Sequence, residues 1–141
     1  MADSSSAWQW ILWKVVMPIA VAVSAAFGGW TPAMTTLLIF MALDILTGLM
    51  RAYLQKVLSS SVSFKGMCKK VFILVIVMVA WRLDIVIGAG SIMRDATVIF
   101  FIVSEGLSIL ENAAAADLPI PEFLKKALIQ LNEKKAAPLD R

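Results

Sequence analysis

Long apolar runs alternate with short polar breaks along the chain, and this pattern predicts four membrane-spanning helices. No Asp, Glu, Lys or Arg occurs from Val15 to Leu43, and Gly28–Pro32 interrupts that run. Glycine favours turn conformations and proline suits the first turn of a helix, so one span should end and another begin there. Each run approaches the roughly 20 residues that cross about 30 Å of hydrocarbon. The expected spans are, approximately, residues 12–28, 33–50, 71–87 and 96–110.

The fourth apolar run is the weakest of these spans. Its core, Val98–Val103, is strongly apolar, but Glu105, Ser108 and Glu111 follow it. One ionised side chain at the centre of a span costs ~2.5–3.5 kcal/mol, whereas about nine apolar side chains contribute only ~0.3–0.6 kcal/mol each. Hydropathy alone therefore leaves this crossing marginal, and the charge distribution must decide it.

Basic residues cluster in the break between the second and third spans and in the C-terminal segment. They are Arg51, Lys56, Lys65, Lys69, Lys70, Lys125, Lys126, Lys134, Lys135 and Arg141. If basic segments stay in the cytoplasm, two crossings must separate the two clusters, which predicts four spans with both termini cytoplasmic. A three-span alternative, with the fourth run lying on the surface, would export the five basic residues of the C-terminal segment.

The composition supports a membrane protein. Apolar residues make up 60% of the 141 residues and charged residues 16%, against roughly 45–50% and 25% in soluble domains. A chain of this length cannot hide so much apolar surface in a water-soluble core. The net charge is +3, but the basic residues lie in loops and in the tail beside apolar runs. They are therefore interpreted as signals of membrane topology and not of nucleic-acid binding. One cysteine, Cys68, and no histidine exclude a disulfide framework and argue against structural zinc.

The pattern divides the chain into three parts. A polar, tryptophan-rich leader covers residues 1–11, the four spans occupy 12–116, and a cytoplasmic segment covers 117–141. Within that segment, Glu122–Lys134 has the periodicity of an amphipathic helix. Its apolar stripe consists of Phe123, Leu124, Ala127, Leu128 and Leu131. This helix is expected to lie on the inner leaflet, with packing against a neighbouring subunit as the alternative. The predicted fold class is an all-α integral membrane protein with about four transmembrane helices and a C-terminal amphipathic helix.

An acid lies within the second apolar run, where burial of a charge is costly unless something offsets it. Asp44, Gly48 and Arg51 recur at spacings of four and three, which places them on one helix face. Gly48 would let another backbone approach closely there. These residues are therefore candidates for helix contacts.

Further ionisable and polar residues fall within or beside the third and fourth spans: Arg82, Asp84, Glu105, Glu111 and Asn112. Arg82 and Glu105 both fall near mid-membrane, so they are expected to pair, while Asp84 lies slightly further out. Such residues either link helices within one four-helix unit or face other subunits or a water-filled pore. The second interpretation is favoured because a small bundle has few ways to shelter so many charges, and we expect Asp44, Gly48 and Glu105 to support assembly.

Enzyme chemistry is not expected. The sequence contains no nucleophile–base pair, metal-ligand cluster or phosphate-binding loop, so neither a catalytic site nor a cofactor is predicted.

Several short motifs, each weak alone, occur in a specific order over residues 40–130. An Asp–x–x–Thr–Gly segment, a serine-containing loop, a Gly–x–x–Lys-like segment, a further Asp, a Glu–x–x–Ser–x–x–Glu–Asn run and a proline-bearing segment follow one another. They are Asp44–Gly48, Ser60–Ser61, Gly66–Lys70, Asp84, Glu105–Asn112 and Pro119–Leu124. This arrangement resembles the toxin-secretion/phage-lysis holin family. It departs from the family pattern at Asp117, where a glycine is expected just before Leu118-Pro119.

The resemblance implies a phage or prophage protein that accumulates in the host cytoplasmic membrane, associates with copies of itself and opens lesions in the bilayer. A cell-wall-degrading endolysin, or in some relatives a toxin, is then the cargo, and an antiholin is a further partner. The alternatives are a small four-span transporter of the multidrug type and an antiholin-like regulatory subunit. A transporter of that type should carry an essential acid in its first span, and residues 12–28 contain none.

Overall fold

Four α-helices make up most of the described chain. The structure, a computed structural model, describes residues 9–56, 60–124, 126 and 130. A π-helical turn, Leu12–Val16, leads directly into α1. The α-helices are α1 (Met17–Ala26), α2 (Pro32–Leu54), α3 (Ser60–Ile87) and α4 (Ile92–Ala115). No strand occurs among these residues, which confirms the all-α class.

Within the described residues, three stretches are long and apolar enough to cross a membrane: Gln9–Ala26, Pro32–Leu54 and Ile92–Ala115. The remaining expected span lies in α3, which carries Lys70 in its first half and Arg82 and Asp84 in its last turns. Because Lys70 and Asp84 are buried within the bundle, the exposed surface of α3 is more apolar than the residue composition of the whole helix. The crossing of the membrane by α3 stays a prediction that this burial supports.

Helix α4 lies at the centre of the bundle. It packs along both α2 and α3, which touch each other only slightly. Successive helices run in opposite directions, so the turns at residues 27–31 and 88–91 lie at one end, which we call the glycine-turn end. The opposite end carries Arg51, Lys56 and Lys65, and we call it the basic end.

Helix α1 is attached to the bundle at one end only. It contains no buried residue, whereas Phe27, just beyond its last turn, belongs to the apolar core, with Ala26 packed against it. The rest of that core lies between α2, α3 and α4 and consists of Met34, Leu37, Met41, Ile73, Val77 and Val98. Most of the α1 surface is therefore without a protein neighbour within the described chain.

The break predicted at Gly28–Pro32 is confirmed. Gly28 and Gly29 have φ angles of 77° and 96°, the left-handed region that glycine adopts without steric cost. The Thr31 hydroxyl accepts a hydrogen bond from the Met34 N–H at 3.2 Å, and Pro32 occupies the first turn. Local chemistry thus ends the first helix and begins α2.

The π-helical turn before α1 follows from Pro18 in the first turn of that helix. Proline has no N–H to donate to the carbonyl four residues earlier, which belongs to Lys14, and its ring would collide with that carbonyl. A wider π-helical turn relieves the collision. Lys14 lies on this turn and is exposed.

Helices α2, α3 and α4 are longer than the spans expected from the sequence. Helix α3 begins at Ser60, inside the serine cluster that was expected to break the chain, and α4 extends beyond both ends of residues 96–110. The leader at residues 1–11 is described only from residue 9. The amphipathic helix expected over 122–134 lies mostly outside the described residues, with helical structure at residues 122–124.

Polar and apolar side chains are distributed as in a protein surrounded by lipid. Of the buried residues in the described chain, nine are apolar and five are polar or charged: Lys70, Asp84, Arg94, Glu105 and Asn112. Many large apolar side chains are exposed along all four helices, among them Val21, Leu46, Phe72 and Phe100. Water would disfavour so large an apolar surface, whereas hydrocarbon would cover it.

Asp117 closes the C-terminus of α4 in a left-handed conformation, with φ of 58°. The Leu118 N–H donates to the Ala113 carbonyl at 3.2 Å and the Asp117 N–H to the Ala114 carbonyl at 3.1 Å. This is the Schellman arrangement, in which glycine is preferred at the position of Asp117. The position where the family resemblance calls for glycine is therefore the position where the backbone favours it.

Replacing Asp117 by glycine should stabilise the protein by about 0.5–1 kcal/mol, because the left-handed conformation costs an L-residue more than it costs glycine. Thermal unfolding in detergent, followed by circular dichroism, measures the change. Asp117→Ala is the matched control and should be destabilising, since alanine keeps the steric cost and loses the short polar side chain. A lower melting temperature for Asp117→Gly would contradict the strain at this residue.

Candidate functional site

Ionisable residues from three helices meet at one level of the bundle. Asp44 of α2, Lys70 of α3 and Glu105 of α4 each lie ten residues from the end of their helix at the basic end. With a rise of 1.5 Å per residue, this level lies roughly 15 Å from that end. We call these three residues the ionic triad.

Lys70 is the central member of the ionic triad. Its Nζ lies 2.6 Å from Asp44 Oδ2, and it also donates a hydrogen bond to Glu105 Oε2. Lys70 and Glu105 are 9% and 5% exposed. Two carboxylates therefore share one ammonium group in a region of low dielectric, where each charge depends on the others for solvation.

Asn112 extends the polar network from the triad towards the basic end. Its Nδ2 donates to Asp44 Oδ1 at 3.1 Å and to Thr47 Oγ1 at 3.2 Å, and its Oδ1 accepts from Arg51 Nη1 at 3.4 Å. A Cβ at Gly48 would lie 3.6 Å from Asn112 Nδ2. The predicted face of Asp44, Gly48 and Arg51 is confirmed, and within this chain it faces α4.

A second polar cluster lies at the glycine-turn end. The carboxylate of Asp84 is fully buried and accepts hydrogen bonds from the backbone N–H groups of Met93 at 3.0 Å and Arg94 at 2.8 Å. Ser91, the residue before α4, provides no side-chain cap of its own. Asp84 of α3 therefore caps α4 and places a negative charge at the positive end of the helix dipole.

Arg94 joins this cluster to the turn after α1. Its guanidinium forms an ion pair with Asp95 at 2.8 Å, lies 5.3 Å from the ring centroid of Trp81, and donates to the backbone carbonyls of Phe27 and Gly28. A cation over an indole face is attracted by the ring quadrupole. One buried side chain thus connects the α1–α2 turn, α3 and α4.

The predicted pairing of Arg82 with Glu105 is wrong. Glu105 accepts from Lys70, whereas Arg82 is exposed on α3. Lys70 was assigned to the basic loop, because the span was expected to begin at residue 71. Since α3 starts at Ser60, Lys70 lies well inside the helix.

A periodic signal in the sequence marks both buried charges of α3. Buried residues recur along this helix at spacings of three and four, which define one face. They are Lys70, Ile73, Val77, Ala80 and Asp84. The apolar stripe thus has an ionisable residue at each end, and extending it past the apolar residues would have identified Lys70.

A cavity of about 540 Å³, the α3–α4 groove, opens beside the ionic triad. Besides the triad, it is lined by Lys69 and Phe72 of α3 and by Ser104, Ser108 and Glu111 of α4, among others. Glu111 is exposed. The groove therefore presents both polar and apolar surface at the depth of the triad.

Removing the ammonium group of the triad should destabilise the fold strongly. Lys70→Met leaves two buried carboxylates without their cation, and loss of one partner from a buried ion pair costs about 3–5 kcal/mol. Thermal unfolding in detergent measures the loss, and Lys65→Met, an exposed lysine of the same helix, is the control.

Neutralising the carboxylates should recover most of that loss. In the triple variant Lys70→Met, Asp44→Asn, Glu105→Gln no unpaired charge remains in the bundle. If the triple variant is no more stable than Lys70→Met alone, uncompensated charge is not the reason for the loss.

Gly28 should tolerate a side chain less well than its neighbour Gly29. Both have positive φ, but a Cβ at Gly28 would lie 2.5 Å from Trp81 Cδ2 and 2.6 Å from Arg94 Nη1, whereas a Cβ at Gly29 meets nothing within 4 Å. Gly28→Ala should cost about 1–3 kcal/mol more than Gly29→Ala through overpacking. The difference in melting temperature between the two variants measures the packing alone; equal losses would contradict the close approach.

Comparisons with known proteins agree on one family. The sequence model of the bacteriophage holin family matches residues 21–133. An uncharacterized 14.9 kDa protein of Clostridium perfringens is 43% identical over 128 residues, which cover 90% of this chain and 96% of the relative. A protein of Bacillus phage phi105 named as a probable holin is 30% identical over 117 residues, 83% of this chain and 86% of its own length. No solved structure matches the chain.

The matched region contains the ionic triad, the Asn112 network and the cluster around Arg94. It also includes two complete candidate spans and the last six residues of the third, Gln9–Ala26. The chain is therefore a multi-pass membrane protein, and it belongs to the bacteriophage holin family.

Proposed function

We propose that this protein is a holin that accumulates in the bacterial cytoplasmic membrane, associates with further copies of itself and opens lesions in the bilayer. Through these lesions an endolysin, or a toxin, leaves the cytoplasm. Family membership and the similarity to the probable holin of Bacillus phage phi105 support this role.

The observation that carries the proposal is the position of the ionic triad. Ionised groups about 15 Å inside an apolar bundle are costly, and only three helices surround them here. Helices of this kind can also satisfy their polar groups with water or with another copy. An assembly that turns those faces inward would line a water-filled opening.

The proposed orientation places the basic end in the cytoplasm, together with both termini. Exposed cations at that end, such as Arg51, Lys56 and Lys65, favour this arrangement under the positive-inside rule. In this orientation the triad lies in the cytoplasmic half of the membrane. A reporter fused after Arg141 should therefore be active only in the cytoplasm, and an external reporter would overturn the orientation.

Expression in a bacterium, with and without a co-expressed endolysin, tests the function. We expect the membrane potential to collapse abruptly in both cases, and the optical density to fall rapidly only when the endolysin is present. A transporter would leave the potential intact. An antiholin-like subunit would assemble without opening and would delay lysis by an active holin.

Neutralising the carboxylates of the triad should change the timing of lysis. Asp44→Asn and Glu105→Gln each alter the charge that holds Lys70, and at matched membrane levels we expect a shift in the onset of lysis for both. Asp117→Asn, at an exposed acid that does not line the α3–α4 groove, is the control and should change timing less. Unchanged timing in both triad variants would remove these carboxylates from the mechanism.

A further inference from the structure

The π-helical turn that leads into α1 carries a charge, Lys14, for which the described chain provides no partner. Lys14 is exposed and lies within the candidate span Gln9–Ala26. Its ammonium group forms no hydrogen bond or ion pair with another described residue. A lysine within a span is costly unless it reaches water or a counter-charge. An acidic surface at the same depth in the membrane would provide that counter-charge.

The ionic triad lies at that depth. Arg94 donates to the carbonyl of Gly28, so the last turn of α1 and the first turn of α4 lie at the same level. When α1 crosses the membrane antiparallel to α2, Lys14 lies twelve residues from Ala26 towards the basic end, and Glu105 lies eleven residues from Arg94 in the same direction. At 1.5 Å per residue these distances are about 18 and 17 Å.

The α3–α4 groove has the complementary charge. Its lining contains three carboxylates, Asp44, Glu105 and Glu111, and two ammonium groups, Lys69 and Lys70. One negative charge is therefore left over when all five groups are ionised. An additional ammonium group at the level of Glu105 would compensate that charge.

The groove also has the surface that a further helix needs. Its wall includes the aromatic rings of Phe72 and Phe101 and the small side chains of Ser104 and Ser108. Small residues let two helix backbones approach closely in a bilayer, and polar side chains add hydrogen bonds. An apolar helix with one cation fits these requirements.

The α1 helix of the same chain does not occupy this groove. Arg94 fixes the carbonyls of Phe27 and Gly28 at the glycine-turn end, and α1 makes no extended contact with α3 or α4. We propose that α1 of one copy docks in the α3–α4 groove of a second copy, where Lys14 pairs with the triad carboxylates. This inference rests on the self-association contained in the proposed function and identifies its interface.

Such an interface has a consequence for the assembly. The two surfaces differ, since a helix of one copy meets a groove of the next, and each copy keeps one free helix and one free groove. Heterologous contacts of this type generate rings when the rotation closes and open chains when it does not. The contact can therefore recruit copies without a fixed limit.

Disulfide crosslinking between two differently tagged copies tests the contact. In a Cys68→Ser background, one copy carries Ile11→Cys and the other Ser108→Cys, each three residues closer to the basic end than Lys14 and Glu105 respectively. Oxidation of intact membranes with copper-phenanthroline should give a crosslinked dimer of the two tagged chains. Ile19→Cys with Ser108→Cys is the depth-mismatched control and should crosslink far less.

The positive charge of Lys14 should determine how much crosslinked dimer forms. Lys14→Gln should weaken the association about tenfold, which corresponds to about 1.4 kcal/mol, and Lys14→Arg should preserve it. Lys65→Gln, at an exposed lysine that does not line the groove, is the control. Equal crosslinking in Lys14→Gln and the parent would overturn the role of Lys14.

The outcomes separate this interface from the proposed function. If the two cysteines crosslink only when placed on the same chain, α1 closes on its own groove and the inference is wrong. If no crosslink forms while the Cys68→Ser parent still collapses the membrane potential, the inference fails and the holin function stands. A crosslink between copies that open no lesion supports the interface and overturns the lesion-forming role.

Discussion

Lys70 between Asp44 and Glu105 is the interaction on which the bundle depends. None of these three groups is well placed alone in hydrocarbon, because its charged form would lack both solvation and a counter-charge there. Together they require α2, α3 and α4 to meet at one depth and with one rotation. Since a small apolar core shared with lipid specifies register only weakly, a shared buried charge supplies the specificity that the apolar contacts lack.

The cluster around Asp84 and Arg94 likewise joins several elements, at the glycine-turn end of the bundle. Asp84 lies fourteen residues beyond Lys70 on α3, which separates the two polar layers by about 21 Å. Between them lies the apolar layer of Leu37, Val77 and Val98, all buried. The bundle is thus fixed at two levels by polar contacts and filled between them by apolar ones. Helix α1 takes part only in the Arg94 layer, through the turn that follows it.

This division between a fixed bundle and a free helix connects the structure to assembly. In a bilayer there is little hydrophobic gain when helices associate, so packing and polar contacts decide which surfaces meet. Within the described chain, α1 and the turn with Lys14 that precedes it have no partner helix, and the α3–α4 groove contains one more carboxylate than ammonium groups. In the proposed assembly, the polar groups that stabilise one copy are also the groups through which lipid-embedded copies recognise each other.

The sequence by itself determined the features that depend on neighbouring residues. Hydropathy located the apolar helices, Gly28–Pro32 marked the end of one helix and the start of the next, and the spacing of Asp44, Gly48 and Arg51 defined one face. The motif order identified the family. These follow from local backbone preference and helix periodicity, which require no knowledge of the partner helix.

Only the tertiary structure decided which charges pair. Whether Glu105 meets Arg82 or Lys70 depends on the depth and rotation of α3 relative to α4, and those depend on where α3 begins. Likewise, Arg94 reaches the carbonyl of Gly28, 66 residues away in the chain, through the packing of two separate turns. A sequence contains each charge and its cost, whereas the partner that offsets the cost is fixed by how the helices pack.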